Sequence, residues 1–536
     1  MRAGKSGAAF RRWGYVAWVV LIAAFAVLHA LNLRADFPNH SAWTFDWAKY
    51  TDEGWYGNAA IRAHLFGNWY LKGDFNPAPA VPVWPFLEWV LFWVTGVTVQ
   101  AARGLAVACF FANLLLSYLL LRASGPRWMA LLALTLLVTS PFLYCFSRLA
   151  ILEPLLIALM LGALNLAVRL PRMRRPVWAS VWIGLLFALM MLTKTTAVFL
   201  LPALVWAMLI PLWQRRRVFW RCALAASGAF SAAFGLWMAF VVAFGLFPDF
   251  KYLFHVNKFY KPPEFYWPLT SLWWSFHGGL WVDHILIPVA GFVVVCTLVG
   301  WRIAWGRKLL LEPVFGASVL AVVGYILFMT YQNNPQPRYF AVAAFFVFFV
   351  IAQGAEALLG QRATGCKPQR ISWIAGWAVI GLAALAVGLN AGKTLGYAAH
   401  PQYTFVNAAE QLTRYIDNHP NGNRLLVSIS GDQIALVTHL PALCDDFSTQ
   451  DLATKVGVYR PGWFAAWNAV DPGTLEDLHT HFSLEQVASF RAFDDSDRNV
   501  LVLFKLHPIP AERIRHLDDL SLQASLPGDK IDIPVQ

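Results

Sequence analysis

The sequence predicts a polytopic α-helical membrane protein of about eleven transmembrane helices, with a soluble α/β domain at its C-terminal end. Three observations carry that expectation. Hydrophobic residues make up 58% of the 536-residue chain and charged residues only 13%, with a mean hydropathy of +0.51, which sets aside a soluble globular protein. Apolar windows of about 20 residues recur from Tyr15 to Asn390, each long enough to cross a hydrocarbon core of about 30 Å. Beyond Ala398 the chain turns polar, with short helix and strand patterns over roughly 140 residues, the size of one domain. The expected division is a membrane domain over 1–397 and an extracytoplasmic α/β domain over 398–536.

Met1 to Trp13 is basic and leads into an apolar run without a small-residue cleavage site, so 14–33 reads as a retained first span. An outer loop over 34–102 follows. Within it Val83 to Val99 is apolar, but it begins among Pro77, Pro79, Pro82 and Pro85 and is broken by Glu88. It reads as a helix lying in the interface, with Trp84, Trp89 and Trp93 at headgroup depth. Further spans are expected over 103–121, 128–146, 150–168, 177–192, 195–213, 219–246, 285–302, 309–330, 338–358 and 371–390.

Basic residues gather at Arg2/Lys5/Arg11/Arg12, Arg122/Arg127, Arg169/Arg172/Arg174/Arg175, Arg215/Arg216/Arg217/Arg221, Arg302/Arg307/Lys308 and Arg362/Lys367/Arg370. With 83–99 kept out of the bilayer, all six clusters fall on one side, which the charge bias of membrane proteins makes cytoplasmic. The N-terminus is then inside and the C-terminal domain outside, as in a multi-pass protein of the inner membrane facing the periplasm. The net charge of +12 is no nucleic-acid signal. The C-terminal domain is acidic, so the excess belongs to the membrane loops. Cys109, Cys145, Cys222 and Cys296 lie in spans, Cys366 in a basic loop and Cys444 in the tail, with no disulfide or C-x-x-C pattern.

Under this topology several charged turns share the outer face, where charges at membrane depth are costly and usually kept for function. Asp52 and Glu53 are adjacent carboxylates. One can serve as a base toward an acceptor hydroxyl or amine while the other orients it or holds a divalent cation; the alternative is a solvated loop, or a helix N-terminus capped by Thr51 or Asp52. Arg148 and Glu153 flank the start of a span, either as a phosphate fork with a supporting acid or as a structural ion pair. Lys194, in Thr193-Lys194-Thr195-Thr196, interrupts two apolar runs, as a phosphate ligand or as a plain turn. Arg338, followed by Tyr339, opens a late span against the charge bias and is a second phosphate candidate. Loop 247–284 interleaves aromatics with His255, Lys258 and His277, which suits sugar stacking as well as an interfacial belt. The tail shows no nucleophile elbow, phosphate loop or metal signature; Phe405 to Ile416 reads as an amphipathic helix, Leu475 to His481 as a short helix, and Arg424 to Ile429 and Val500 to Leu506 as strands.

Taken together these residues resemble the GT-C superfamily of membrane glycosyltransferases, in the neighbourhood of the protein O-mannosyltransferases and the transferases that add aminoarabinose to lipid A. The matching motifs are Asp52-Glu53 in the first outer loop, Arg148 followed by Glu153, Thr193-Lys194 before Leu201-Pro202, and Arg338-Tyr339. The aminoarabinose transferases carry an Arg-Tyr just after the acidic pair and a later Lys-Pro. Here those positions read Gly54-Trp55-Tyr56 and Ala80-Val81-Pro82, leaving Arg62 or Lys72 as local substitutes for the missing cations, with Tyr56 a further candidate for support or substrate binding. The resemblance implies transfer of a sugar from a polyprenyl-phosphate carrier to a lipid, glycan or protein acceptor by inverting displacement. Asp52 is then the base, Glu53 its support, and Arg148, Lys194 and Arg338 the phosphate ligands. Two other readings compete: a transporter or flippase of lipid-linked saccharides, which calls for polar residues deep in several spans and repeated halves, and a non-catalytic assembly protein.

Overall fold

The computed structural model describes residues 3–36, 52–253, 285–300, 304–331, 337–360, 370–446, 448–493 and 498–509. Its helices are α1 (Ala3–Leu28), α2 (Asp52–Phe66), α3 (Val83–Thr95), α4 (Val99–Ser124), α5 (Arg127–Thr139), α6 (Pro141–Phe146), α7 (Glu153–Ala167), α8 (Pro176–Thr193), α9 (Leu201–Leu209), α10 (Arg216–Ala243) and α11 (Phe247–Lys251). Further along the chain come α12 (Leu286–Val299), α13 (Ala304–Leu310), α14 (Pro313–Tyr331), α15 (Phe340–Gly360) and α16 (Arg370–Ala399). Among the described residues six helices, α4, α8, α10, α14, α15 and α16, are long and apolar enough to cross a bilayer, and six shorter apolar helices accompany them. The chain is a multi-pass membrane protein. Its apolar core runs through α4, α5, α7, α14 and α15, where Phe345, Phe346, Phe348 and Phe349 are all buried.

Several expected spans break where the sequence carries a polar residue or a proline. Span 128–146 divides into α5 and α6 at Ser140-Pro141, where the Ser140 hydroxyl accepts from Leu143 N at 3.1 Å and caps the second helix. Span 150–168 is helical only from Glu153, with Pro154 in its first turn, a place where a missing N–H costs nothing. Span 195–213 starts as a 3-10 turn, Thr195–Leu200, and becomes α-helical at Leu201. The last expected span runs on to Ala399, two residues past the 397 boundary. α3 presents Phe86, Trp89, Val90, Trp93 and Val94 outward while Trp84, Glu88 and Phe92 are buried. Trp84 therefore packs inside the protein, whereas Trp89 and Trp93 face outward.

The C-terminal region consists of α17 (Thr404–Asn418), α18 (Gly431–Thr438), α19 (Leu452–Tyr459), α20 (Pro472–His479) and five strands, β1 (Leu426–Val427), β2 (Ala442–Leu443), β3 (Trp463–Trp467), β4 (Phe482–Arg491) and β5 (Val500–Pro508). The sheet order is β2-β1-β3-β5-β4, with β1 parallel to both neighbours and β5 antiparallel to β3 and β4. α17 lays Phe405, Ala409, Leu412 and Ile416 into the core over this sheet. Its N-terminus is capped from outside the region: Asp36, just past α1, accepts from Phe405 N at 2.8 Å.

α18 seats the sheet region on α2, α3 and α4. Ala435 and Leu436 share one apolar cluster with Ala60 and Ile61 of α2, Trp84 of α3 and Ala102 of α4. Beside it lies a buried charged network. Arg62 pairs with Asp74 at 2.5 Å and with Asp432 at 3.3 Å, Lys455 reaches Asp74 at 3.6 Å, and Asn58 donates to Asp432 at 3.1 Å.

Candidate active site

α2 places two carboxylates in its first turn, where the helix dipole favours negative charge. Both are buried, and they face different partners. Asp52 Oδ2 forms an ion pair with Arg338 Nη1. Arg338 stands in a 3-10 turn, Pro337–Tyr339, immediately before α15. Its Nε lies 3.9 Å from Glu153 Oε1 at the head of α7, and Lys194 Nζ forms a closer ion pair with the same oxygen. Lys194 sits in extended backbone between α8 and the 3-10 turn that follows. The Tyr339 ring is shared by both cations, with Lys194 Nζ at 4.9 Å and the Arg338 guanidinium at 5.4 Å from its centroid.

Four segments distant in sequence thus meet at one end of the helices, and Asp52, Glu153, Lys194, Arg338 and Tyr339 form one buried cluster of two anions, two cations and a phenol. Tyr56, one turn along α2, borders it. Burial first, then Glu153 and Tyr339 nearby, push its phenol well above the usual range.

Glu53 is held differently. Arg103 of α4 grips it with two bonds, Nε to Oε1 and Nη2 to Oε2, each 2.7 Å. Ala150 N donates to Oε1 at 2.8 Å and Gln433 Nε2 to Oε2 at 3.1 Å. Four donors fill the acceptor positions of the carboxylate. Glu53 is a structural knot beside Asp52.

Arg148 does not join the cluster. Its Nη2 donates to the carbonyls of Leu31 at 2.5 Å and Asn32 at 2.8 Å, its Nη1 bonds the Tyr144 hydroxyl, and the guanidinium lies 4.5 Å from the Tyr144 ring centroid. It closes the turn after α1, where Asn32 has φ 51°. Glu153, for which Arg148 was the nearest expected partner, is paired with Lys194 because the chain breaks between Leu149 and Leu152 and α7 turns the carboxylate the other way. Arg62 is also elsewhere, in the network under α18. His255, Lys258 and His277 lie outside the described residues. Among the described residues no group of three or more His, Cys, Asp or Glu is arranged to hold a metal ion.

Two functional neighbours were not legible in the sequence. Arg103 carried a faint signal, a single cation in the first turns of an apolar helix on the outer side. Gln433 carried none.

With the geometry in place, comparison with known proteins is informative. Residues 77–244 match the model of the dolichyl-phosphate-mannose-protein mannosyltransferase family; that stretch holds Arg148, Glu153 and Lys194 but not Asp52 or Arg338. No curated protein matches the sequence. Among solved structures, ArnT from Cupriavidus metallidurans superposes with a TM-score of 0.58 at 13% identity, over 91% of this chain and 98% of that one. Its complex with undecaprenyl phosphate gives 0.56 at 14% identity over the same shares. The Archaeoglobus fulgidus oligosaccharyltransferase AglB, in complex with an inhibitory peptide and a dolichol-phosphate, gives 0.51 at 12% identity over 85% of this chain and 69% of that one. The chain shares its fold with these transferases, and it resembles the GT-C superfamily and, within it, ArnT and the protein O-mannosyltransferases.

Proposed function

We propose that this protein is an integral-membrane glycosyltransferase that moves a sugar from a polyprenyl-phosphate carrier to a lipid, glycan or protein acceptor. The observation that supports it most is the buried cluster Asp52–Arg338–Glu153–Lys194 within a GT-C-like fold. Asp52 is the base. The acceptor oxygen or nitrogen forms a bond to the anomeric carbon as the bond from that carbon to the phosphate oxygen breaks. The electron pair goes to the departing lipid phosphate and the acceptor's proton to Asp52. Lys194 and Arg338 hold the phosphate, whose developing charge needs cations more than it needs an acid. Arg148 is committed to backbone carbonyls, so the phosphate role rests on the other two.

The resting cluster is balanced in charge, two anions against two cations. An arriving sugar phosphate competes for Arg338 and Lys194, and the carboxylates lose part of their counter-charge. Asp52 then becomes more basic as the donor binds. ArnT, solved with undecaprenyl phosphate, and AglB, solved with a peptide and a dolichol-phosphate, support a lipid-phosphate donor here. The finer topology in this proposal is about eleven spans, α3 lying in the interface, the N-terminus in the cytoplasm, and residues 398–536 as a periplasmic domain of an inner-membrane enzyme.

The test is incubation of the purified protein with a panel of polyprenyl-phosphate sugars, following release of free lipid phosphate. One donor should be turned over, and Asp52→Asn should lower the rate by at least about 100-fold, the usual contribution of a positioned base. Turnover at the wild-type rate by that variant sinks the base assignment.

A further inference from the structure

The C-terminal region reaches into the first turn of α2. Gly54 lies against the backbone of α18, and a Cβ at this position would stand 2.2 Å from the Asp432 carbonyl carbon and 2.3 Å from Gln433 N. That approach brings the Gln433 amide between the two parts of the molecule. Its Oε1 accepts from Gly54 N at 3.0 Å, and its Nε2 donates to Glu53 Oε2 at 3.1 Å. Gln433 is buried, as is Glu53. A primary amide can accept from a backbone N–H through its oxygen and donate to a carboxylate through its nitrogen at once, and glutamine carries that amide one methylene further from the main chain than asparagine does.

Gln433 is one of several restraints on the first turn of α2, and it bonds both the Gly54 N–H and the Glu53 carboxylate. A helix leaves its first four N–H groups without internal partners, and Gln433 satisfies that of Gly54. Arg103 and Ala150 hold Glu53 from the membrane side, and Gln433 holds it from the opposite part of the molecule. The residue so fixed is the immediate neighbour of Asp52.

We propose that Gln433 is a positioning residue, by which the sheet-bearing C-terminal region sets the first turn of α2 and so the place of Asp52. The proposal rests on the reading of Asp52 as base. It gives the C-terminal region a part in transfer that its own sequence motifs do not announce. Gln433 touches neither donor nor acceptor in this role, so its loss acts on the rate and not on donor binding.

The test compares Gln433→Ala with His439→Ala in the purified full-length protein. His439 Nε2 contacts the Val97 carbonyl at 2.8 Å, just past the end of α18 and away from the first turn of α2, and reports on seating of the C-terminal region alone. Two readouts are taken. Hydrogen–deuterium exchange should quicken in a peptide covering 52–57 for Gln433→Ala and not for His439→Ala. In the transfer assay Gln433→Ala should lower kcat by about 10- to 100-fold, the range a small misplacement produces, with KM for the donor within about twofold. His439→Ala should keep kcat. Unchanged exchange at 52–57, or equal loss of kcat in both variants, overturns the proposal. If exchange quickens as expected while the wild-type protein transfers no sugar, the clamp stands and the transferase reading falls.

Discussion

Lys194 and Glu153 are each other's closest opposite charge in a buried setting, so removing one strands the other. Breaking such a pair from one side costs roughly 3–5 kcal/mol, whereas replacing both partners is far milder. Lys194→Met should therefore lower the melting temperature in detergent and weaken binding of polyprenyl phosphate. Adding Glu153→Gln should restore most of the melting temperature but not the binding. Recovery of both would make Lys194 a structural cation only. The charged members of this cluster were legible in the sequence because a lysine, an arginine or a carboxylate stands out in apolar surroundings. Their pairing was not. Arg148 is nearest to Glu153 along the chain, yet it spends its donors on the carbonyls that end α1, and Lys194 comes from another helix. Gln433 is uncharged and lies in an ordinary amphipathic stretch, so nothing in the sequence separated it from a surface glutamine.

At the scale of elements, hydropathy marks apolar runs well and helix ends poorly. It located α4, α8, α10, α14 and α15 within a few residues, since each is a continuous apolar run. It missed the break at Ser140-Pro141, and it began the helices after Ser147-Arg148 and after Thr193-Lys194 three to six residues too early, at 150 and 195, where the chain turns α-helical only at Glu153 and Leu201. Those two late starts place Glu153 and Lys194 in the buried cluster. α2 is a different case: nine of its 15 residues are buried although it is only weakly amphipathic, and its contact with α18 depends on the absence of a side chain at Gly54. Gly54→Ala would drive a methyl group into main chain, and overpacking of this kind costs about 1–3 kcal/mol or more. A lowered melting temperature together with quickened exchange across 431–438 is the expected outcome. An unchanged melt would show that the two helices separate freely.

For the whole molecule, the seating of the C-terminal region should depend on pH. Burial holds the Asp432 carboxyl up at about 6, against the pull of Arg62, and burial with Asp446 nearby holds Asp445 up at about 7. Both exceed the usual aspartate range, so the folded state binds a proton more tightly than the unfolded chain does. The stability contributed by these protonated forms is complete below about pH 4 and is lost as pH rises through 6 to 7. Melting curves in detergent should accordingly shift upward as pH falls from 8 toward 5. Asp432→Asn and Asp445→Asn should each flatten part of that slope, and an identical slope in the double variant would exclude this origin. The acidity of the tail was visible in the sequence; that two of its aspartates are buried was not, because burial is a property of the assembled fold.

The dispersal of the charged cluster along the chain has a consequence for synthesis. Positions 52, 153 and 194 leave the ribosome well before 338, and 433 comes later still. A chain caught partway through insertion holds Asp52 without its arginine and α2 without its clamp. The buried cluster and its clamp are thus completed only once the last third of the chain has been made.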